Sequence, residues 1–145
     1  MRVDFYLLSR DPAPVATAML AGKVLGAGER LLVVADDLEQ LEAISQGLWD
    51  AGEGSFLANG IAGDDHDARQ PILLSDELDP VNGARFLLIA DGIWRNPGDA
   101  FDRVLYLFDN ATIDEARGTW RALQSQDGIE KRFWKQQGNS WVEGP

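Results

Sequence analysis

The sequence predicts an α/β fold with a mostly parallel central sheet and helices packed on its faces. Three observations carry this. The N-terminal third alternates strand-like and helix-like patterns in the order strand–helix–strand–helix, which suits parallel strands joined by crossover helices. Several strand-length runs are continuously apolar, as strands covered on both faces are. The 145 residues are 45% hydrophobic and 26% charged, an ordinary globular composition at a length that suits one domain.

Residues 3–8 are β-rich and mostly apolar and form the first strand. Asp11-Pro12 then opens a helix, with Asp11 as N-cap and Pro12 in the first turn; the helix runs to about Leu25, and Gly26 and Gly28 end it. Residues 31–35 are an apolar second strand. Asp36 follows as N-cap, with Glu39 three residues on in a capping-box arrangement. Leu38, Leu41, Ser45 and Leu48 recur at helical spacing, and Gly52 and Gly54 stop this second helix just after Trp49.

A short apolar element at Phe56 and Leu57 precedes the Asn59-Gly60 pair and a polar loop over 63–67. Strands are expected at 71–74 and 85–90, with turns at Asp79-Pro80 and Asn82-Gly83 between them. Residues 104–108 fit a helix by spacing, but the stretch is short and is read as a strand. Asp109 looks like the cap of the amphipathic helix that follows over about 112–126. Residues 129–136 and 140–142 flank Gly138-Asn139, a C-terminal hairpin at about 129–143. Residues 1–145 thus read as one domain.

Composition narrows the chemistry. Cysteine is absent, so disulfides and thiolate chemistry are excluded, and the single histidine excludes a two-histidine metal site within one chain. No apolar run approaches membrane-span length, and the start, Met1-Arg2-Val3-Asp4, has no signal-peptide core behind it, so a cytoplasmic protein is expected. The net charge of −11 opposes tight binding of nucleic acid by the whole surface. The charge is uneven. Residues 117–135 hold five basic side chains (Arg117, Arg121, Lys131, Arg132, Lys135) and two acids, while the rest holds 8 basic and 22 acidic residues. Such a basic island is either a set of solvated surface cations or an acceptor for an anionic partner.

No catalytic constellation stands out. The strand–helix turn Ser9-Arg10-Asp11-Pro12 lacks the glycines that let a backbone approach phosphate, and places an acid there; Ala35-Asp36-Asp37 does the same. No functional nucleotide-binding loop is expected, and no cofactor. Asp64, Asp65, His66 and Asp67 lack calcium-loop spacing and read as a solvated turn, so no metal is assigned. The aromatic residues are more telling. Four of five tryptophans fall in the last 52 residues. On a helix Arg117, Trp120 and Arg121 lie at i, i+3 and i+4, on one face. Guanidinium groups take carboxylates and an indole offers apolar area, which suits an acidic peptide with an apolar end. The alternative is a core Trp120 with solvated arginines. Trp49 and Phe56 flank the glycine-rich turn after the second helix, and either close the core or form a partner surface.

Several pieces in this order carry a family resemblance. They are Phe5-Tyr6-Leu7-Leu8, Leu48-Trp49, Ser55-Phe56-Leu57 followed by Gly60-Ile61-Ala62-Gly63, Pro71-Ile72-Leu73-Leu74, and Phe86-Leu87-Leu88-Ile89. Phe101-Asp102-Arg103-Val104, Ala116-Arg117 with Trp120-Arg121, and Phe133-Trp134-Lys135-Gln136 complete them. Together they make the chain resemble, over nearly its full length, the chi subunit of bacterial DNA polymerase III. Ala58 and Asn59 stand where the family commonly has Pro-His, and Ala90 where it often has asparagine.

The resemblance implies a Rossmann-like three-layer α/β/α domain without a working nucleotide site. It also implies a non-catalytic adaptor of the clamp loader at the replication fork. One surface would hold a psi subunit, on the side of Trp49 and Phe56. Another would bind the acidic, phenylalanine-ended tail of single-stranded-DNA-binding protein, through Arg117, Trp120, Arg121 and Lys135. Contact with DNA would be indirect. Two other classes stay open: a nucleotide-metabolism enzyme on the same fold, and a direct single-strand binder that stacks bases on tryptophans.

Overall fold

The computed structural model describes residues 1–51, 57–138 and 140–144. Among the described residues eight strands and three α-helices follow one another as β1 (Arg2–Leu7), α1 (Ala13–Gly26), β2 (Leu31–Val34), α2 (Leu38–Trp49), β3 (Asn59–Ile61), β4 (Ile72–Ser75), β5 (Phe86–Ile89), β6 (Arg103–Phe108), α3 (Ile113–Gln124), β7 (Glu130–Gln137) and β8 (Ser140–Glu143). They form one sheet in the order β3-β4-β2-β5-β6-β1-β7-β8. Every neighbouring pair is parallel except the β7–β8 hairpin.

The alternation of side chains along each strand builds two cores. Leu31 and Val33 of β2 face α1 and α2, where they meet Leu20, Val24, Ile44 and Leu48. Leu32 and Val34 face the opposite side, with Phe5, Val104, Tyr106, Ala116 and Leu123 around α3. The domain is therefore a three-layer α/β/α sandwich, with two helices on one face and one on the other. Residues 104–108 are strand, as expected, because β6 sits centrally between β5 and β1.

β1 carries a buried carboxylate. Asp4 Oδ1 accepts from Arg2 Nη2 at 2.9 Å and from the Trp134 indole N–H at 2.9 Å, and Asp4 Oδ2 accepts from Arg103 Nε at 2.7 Å. One side chain thus ties β1 to β6 and β7, and all its charge is compensated, as a buried ion requires.

Two local expectations need correction. Asp37, not Asp36, caps α2, its Oδ1 accepting from the Glu39 N–H at 3.0 Å. Asp36 instead pairs with Arg95 at 2.6 Å and donates its backbone N–H to Asp91. Asp11 does not cap α1: Pro12 stands at the N-cap, and Asp11 accepts from Gln136 Nε2 at 2.6 Å, across from β7. The Asn59-Gly60 pair, to which the sequence assigns no element, is part of an edge strand, β3. The buried Asn59 side chain secures that strand, accepting from Ser45 Oγ of α2 at 2.6 Å and donating to the Leu57 carbonyl.

Candidate functional site

α3 forms where the sequence places it. Asp114 and Glu115 lie in its first turn and Arg121 in its last, both favourable to the helix dipole. Asp109 does not cap it directly. Its carboxylate accepts from the N–H groups of Ala111 and Thr112 and shapes the turn before the helix. Ala116, Thr119 and Leu123 form the buried stripe. Beside that stripe, α3 leaves a gap over β1 and β7.

The gap is a cavity of about 520 Å³. Its walls are Phe5 and Leu7 of β1, Phe108 of β6, Ile113, Ala116 and Trp120 of α3, and Phe133 of β7. The rings are interlocked. Phe5 meets Trp120 edge to face at 4.9 Å, and Phe108 meets Phe133 at 6.2 Å. Two cations, Arg117 of α3 and Lys135 of β7, stand at its rim. An aromatic interior with positive charge at the mouth can hold an apolar ring and a carboxylate together.

Of the residues singled out in the sequence, Arg117, Trp120 and Lys135 are brought together here. Arg121 is exposed and is not among the lining residues. Four residues of α-helix turn the side chain about 40° past Arg117, which carries Arg121 outboard of the rim. Trp120 is half-buried: neither a core tryptophan nor a free surface one. Arg117 pairs with Asp114 at 3.6 Å, but Asp114 is 97% exposed, so the pair is weak and the guanidinium is available.

Sequence reasoning missed the walls. Lys131, Phe133 and Lys135 alternate along β7 and so face the cavity side of the strand together. That basic–aromatic–basic alternation was the available signal. The same alternation turns Arg132 to the other face, where it pairs with Glu130 at 3.3 Å and Glu143 at 3.9 Å. Lys131 itself stands behind Trp120, its Nζ 4.2 Å from the centre of the indole. Partial desolvation holds its ammonium below the ordinary lysine value.

The second predicted surface lies in the other helical layer. Trp49 ends α2 and is 49% exposed. It immediately precedes Asp50 and Ala51, which with Val15, Ala18, Met19 and Leu57 line an apolar groove of about 520 Å³ between α1 and α2. Gly47 lets the two helices close on each other there: a Cβ would come within 3.1 Å of the Pro14 carbonyl oxygen. Phe56, Gly52 and Gly54 lie outside the described residues.

The crevice at the carboxyl ends of the strands is the usual nucleotide position in such sheets. Here it is lined by three carboxylates, Asp11, Asp91 and Asp109, and one guanidinium, Arg10, with Gln40 and Thr112. The loop after β1 is pinned by Gln136 Oε1, which accepts from the N–H groups of Arg10 and Asp11 at 3.2 Å each. Burial alone would raise the Asp91 carboxyl; hydrogen bonds from Arg95 and from the N–H groups of Asp36 and Ile93 hold it below the ordinary range. A phosphate entering this crevice meets net negative charge, three carboxylates against the one cation Arg10. Among the described residues no group of three or more His, Asp or Glu side chains is placed to hold a metal. Two carboxylates of the 63–67 loop are spent on its turn, Asp67 accepting from Gly63 and Asp64, and Asp64 from His66. No helix of the described residues is long and apolar enough to cross a membrane.

No curated protein sequence matches the chain. The family model of the DNA polymerase III chi subunit, HolC, matches residues 1–142, and the chain belongs to that family of replication accessory subunits.

Proposed function

We propose that this member of the chi family is a non-catalytic adaptor of the DNA polymerase III holoenzyme. It links the clamp loader, through a psi-like subunit, to the acidic C-terminal tail of single-stranded-DNA-binding protein. It meets DNA indirectly, at the replication fork. The observation that carries this reading is the aromatic cavity between α3 and β7 with Arg117 and Lys135 at its mouth. The tail phenylalanine enters among Phe5, Phe108, Trp120 and Phe133. The terminal carboxylate and the preceding aspartates meet Arg117 and Lys135, with Arg121 further along. About 520 Å³ is ample for one aromatic side chain and lies within the roughly 300–1,000 Å³ of ordinary ligand pockets.

The psi-like subunit docks on the groove between α1 and α2 through Trp49, which stands beside it; Phe56, proposed for the same partner, lies outside the described residues. α1 and α2 pack on one face of the sheet and α3 on the other, so the two partners do not compete for space. The carboxylates at the strand ends are engaged in turns and ion pairs, which supports an adaptor over a nucleotide enzyme.

The test is a fluorescence anisotropy titration with two labelled peptides. Both carry the acidic tail of the host's single-stranded-DNA-binding protein; one ends in phenylalanine, the other in alanine. Saturable binding of the first, weakened at least tenfold in the second, is expected. Equal binding of both would remove the cavity from the mechanism.

A further inference from the structure

Lys131 makes a contact that none of the rim cations makes. It stands on β7 and lies outside the lining of the cavity. Its Nζ sits 4.2 Å from the centre of the Trp120 indole and donates to the Trp120 carbonyl at 3.3 Å. Phe5 of β1 touches the same ring edge to face at 4.9 Å. The indole is therefore held by groups from two strands besides its own helix, although it is only half-buried.

We infer that Lys131 is a positioning residue that locks the Trp120 indole as a wall of the cavity and so sets the preference for an aromatic terminal side chain. The inference rests on the tail-binding reading above. A half-exposed indole that turned freely would have to be ordered when a ring packed on it, and that ordering weakens binding. A cation over the ring face holds it in place beforehand. Lys131 also carries a positive charge near the acidic tail. A field effect of that charge strengthens every acidic peptide alike, whatever its last residue. Positioning acts only on peptides whose last side chain packs against Trp120. The last residue of the peptide therefore separates the two roles.

The experiment compares wild type, Lys131→Met and Lys131→Arg against the phenylalanine-ended and alanine-ended peptides. The free proteins are also labelled with 5-fluorotryptophan for fluorine NMR, the Trp120 resonance being assigned with Trp120→Phe. Lys131→Met keeps the aliphatic stem and removes the cation. It is expected to weaken the phenylalanine-ended peptide about three- to tenfold. The alanine-ended peptide should be unchanged, and the Trp120 resonance should move towards the position of an exposed, mobile indole. Lys131→Arg restores both, since a guanidinium also sits over an indole. Equal weakening of both peptides, or an unmoved Trp120 resonance, overturns the inference in favour of a field effect. Should Lys131→Met fail to fold, Lys131→Gln makes the same comparison. A wild type that does not distinguish the two peptides refutes the tail-binding reading itself, and with it the role of Lys131.

Discussion

Charge reversal at the rim separates the two arginines that a helical wheel treats as equals. Arg117 lines the cavity mouth and Arg121 lies outboard of it. At about 4 Å, opposite unit charges attract by roughly 1 kcal/mol in water. Arg117→Glu replaces that attraction with repulsion, and with the milder screening at this distance in 0.15 M salt the change is about 1.3 kcal/mol, or about eightfold in affinity. At a separation of roughly 8 Å the attraction is about 0.5 kcal/mol, and screening at 0.15 M salt reduces it by nearly a factor of three. Arg121→Glu then costs about 0.4 kcal/mol, roughly a twofold loss. Neither substitution should alter thermal stability by more than about 0.5 kcal/mol, since both arginines are exposed and Arg117 pairs with the solvent-exposed Asp114. The assay is anisotropy with the phenylalanine-ended peptide at 0.15 M salt, and a second salt concentration checks the screening. Equal losses for the two variants would refute the geometry of the mouth. A wild-type affinity in Arg117→Glu would refute the assignment of the peptide carboxylates.

Three further outcomes follow from other parts of the molecule. Asp4→Ala strips the partner from Arg2, Arg103 and the Trp134 indole, and should cost about 2–4 kcal/mol in urea unfolding, less than a wholly buried pair because both arginines are partly exposed; a loss below about 1 kcal/mol would mean that water replaces the carboxylate. Because Asp91 has a lowered folded value, its pairing with Arg95 stabilises the protein above the unfolded carboxyl value near 4 and is lost as pH falls through the folded value. The stability gap between wild type and Arg95→Met should therefore be constant above about pH 5 and shrink below about pH 4; a gap that does not vary with pH assigns Arg95 to packing alone. Bare single-stranded oligonucleotide should give no gel shift at 0.15 M salt, given the net charge of −11, whereas a shift that Trp120→Ala abolishes would favour direct stacking.

The alternation of strands and helices was legible because it rests on local periodicity, and β2, β5 and β6 appear where apolar runs stand. The caps were not. Asp36 and Asp37 are adjacent and chemically identical, and the choice between them is made by Arg95 and Asp91, more than fifty residues away. Asp11 is drawn off its helix by Gln136, at a separation of 125 residues. β3 is three residues long and is a strand only because β4 lies beside it. At the cavity the cations were legible and the walls were not. Arg117 and Trp120 show themselves on one helix, but Phe5, Phe108 and Phe133 come from three strands whose order no local pattern encodes.

The sheet order also dictates when the molecule can assemble. β1 leaves the ribosome well before the strands it pairs with, β6 and β7, where Arg2 lies beside Arg103 and Glu130. Translation at roughly 5–20 residues per second leaves β1 without a neighbour for about 5–20 s while the next hundred residues are made. During that interval its apolar run of Phe5, Tyr6, Leu7 and Leu8 is available to chaperones, and β2, β4 and β5 can pair without it. Closure of the aromatic cavity must wait for β7, because one wall belongs to β1 and the opposite wall to β7. Binding competence is thus withheld until β7 has been made.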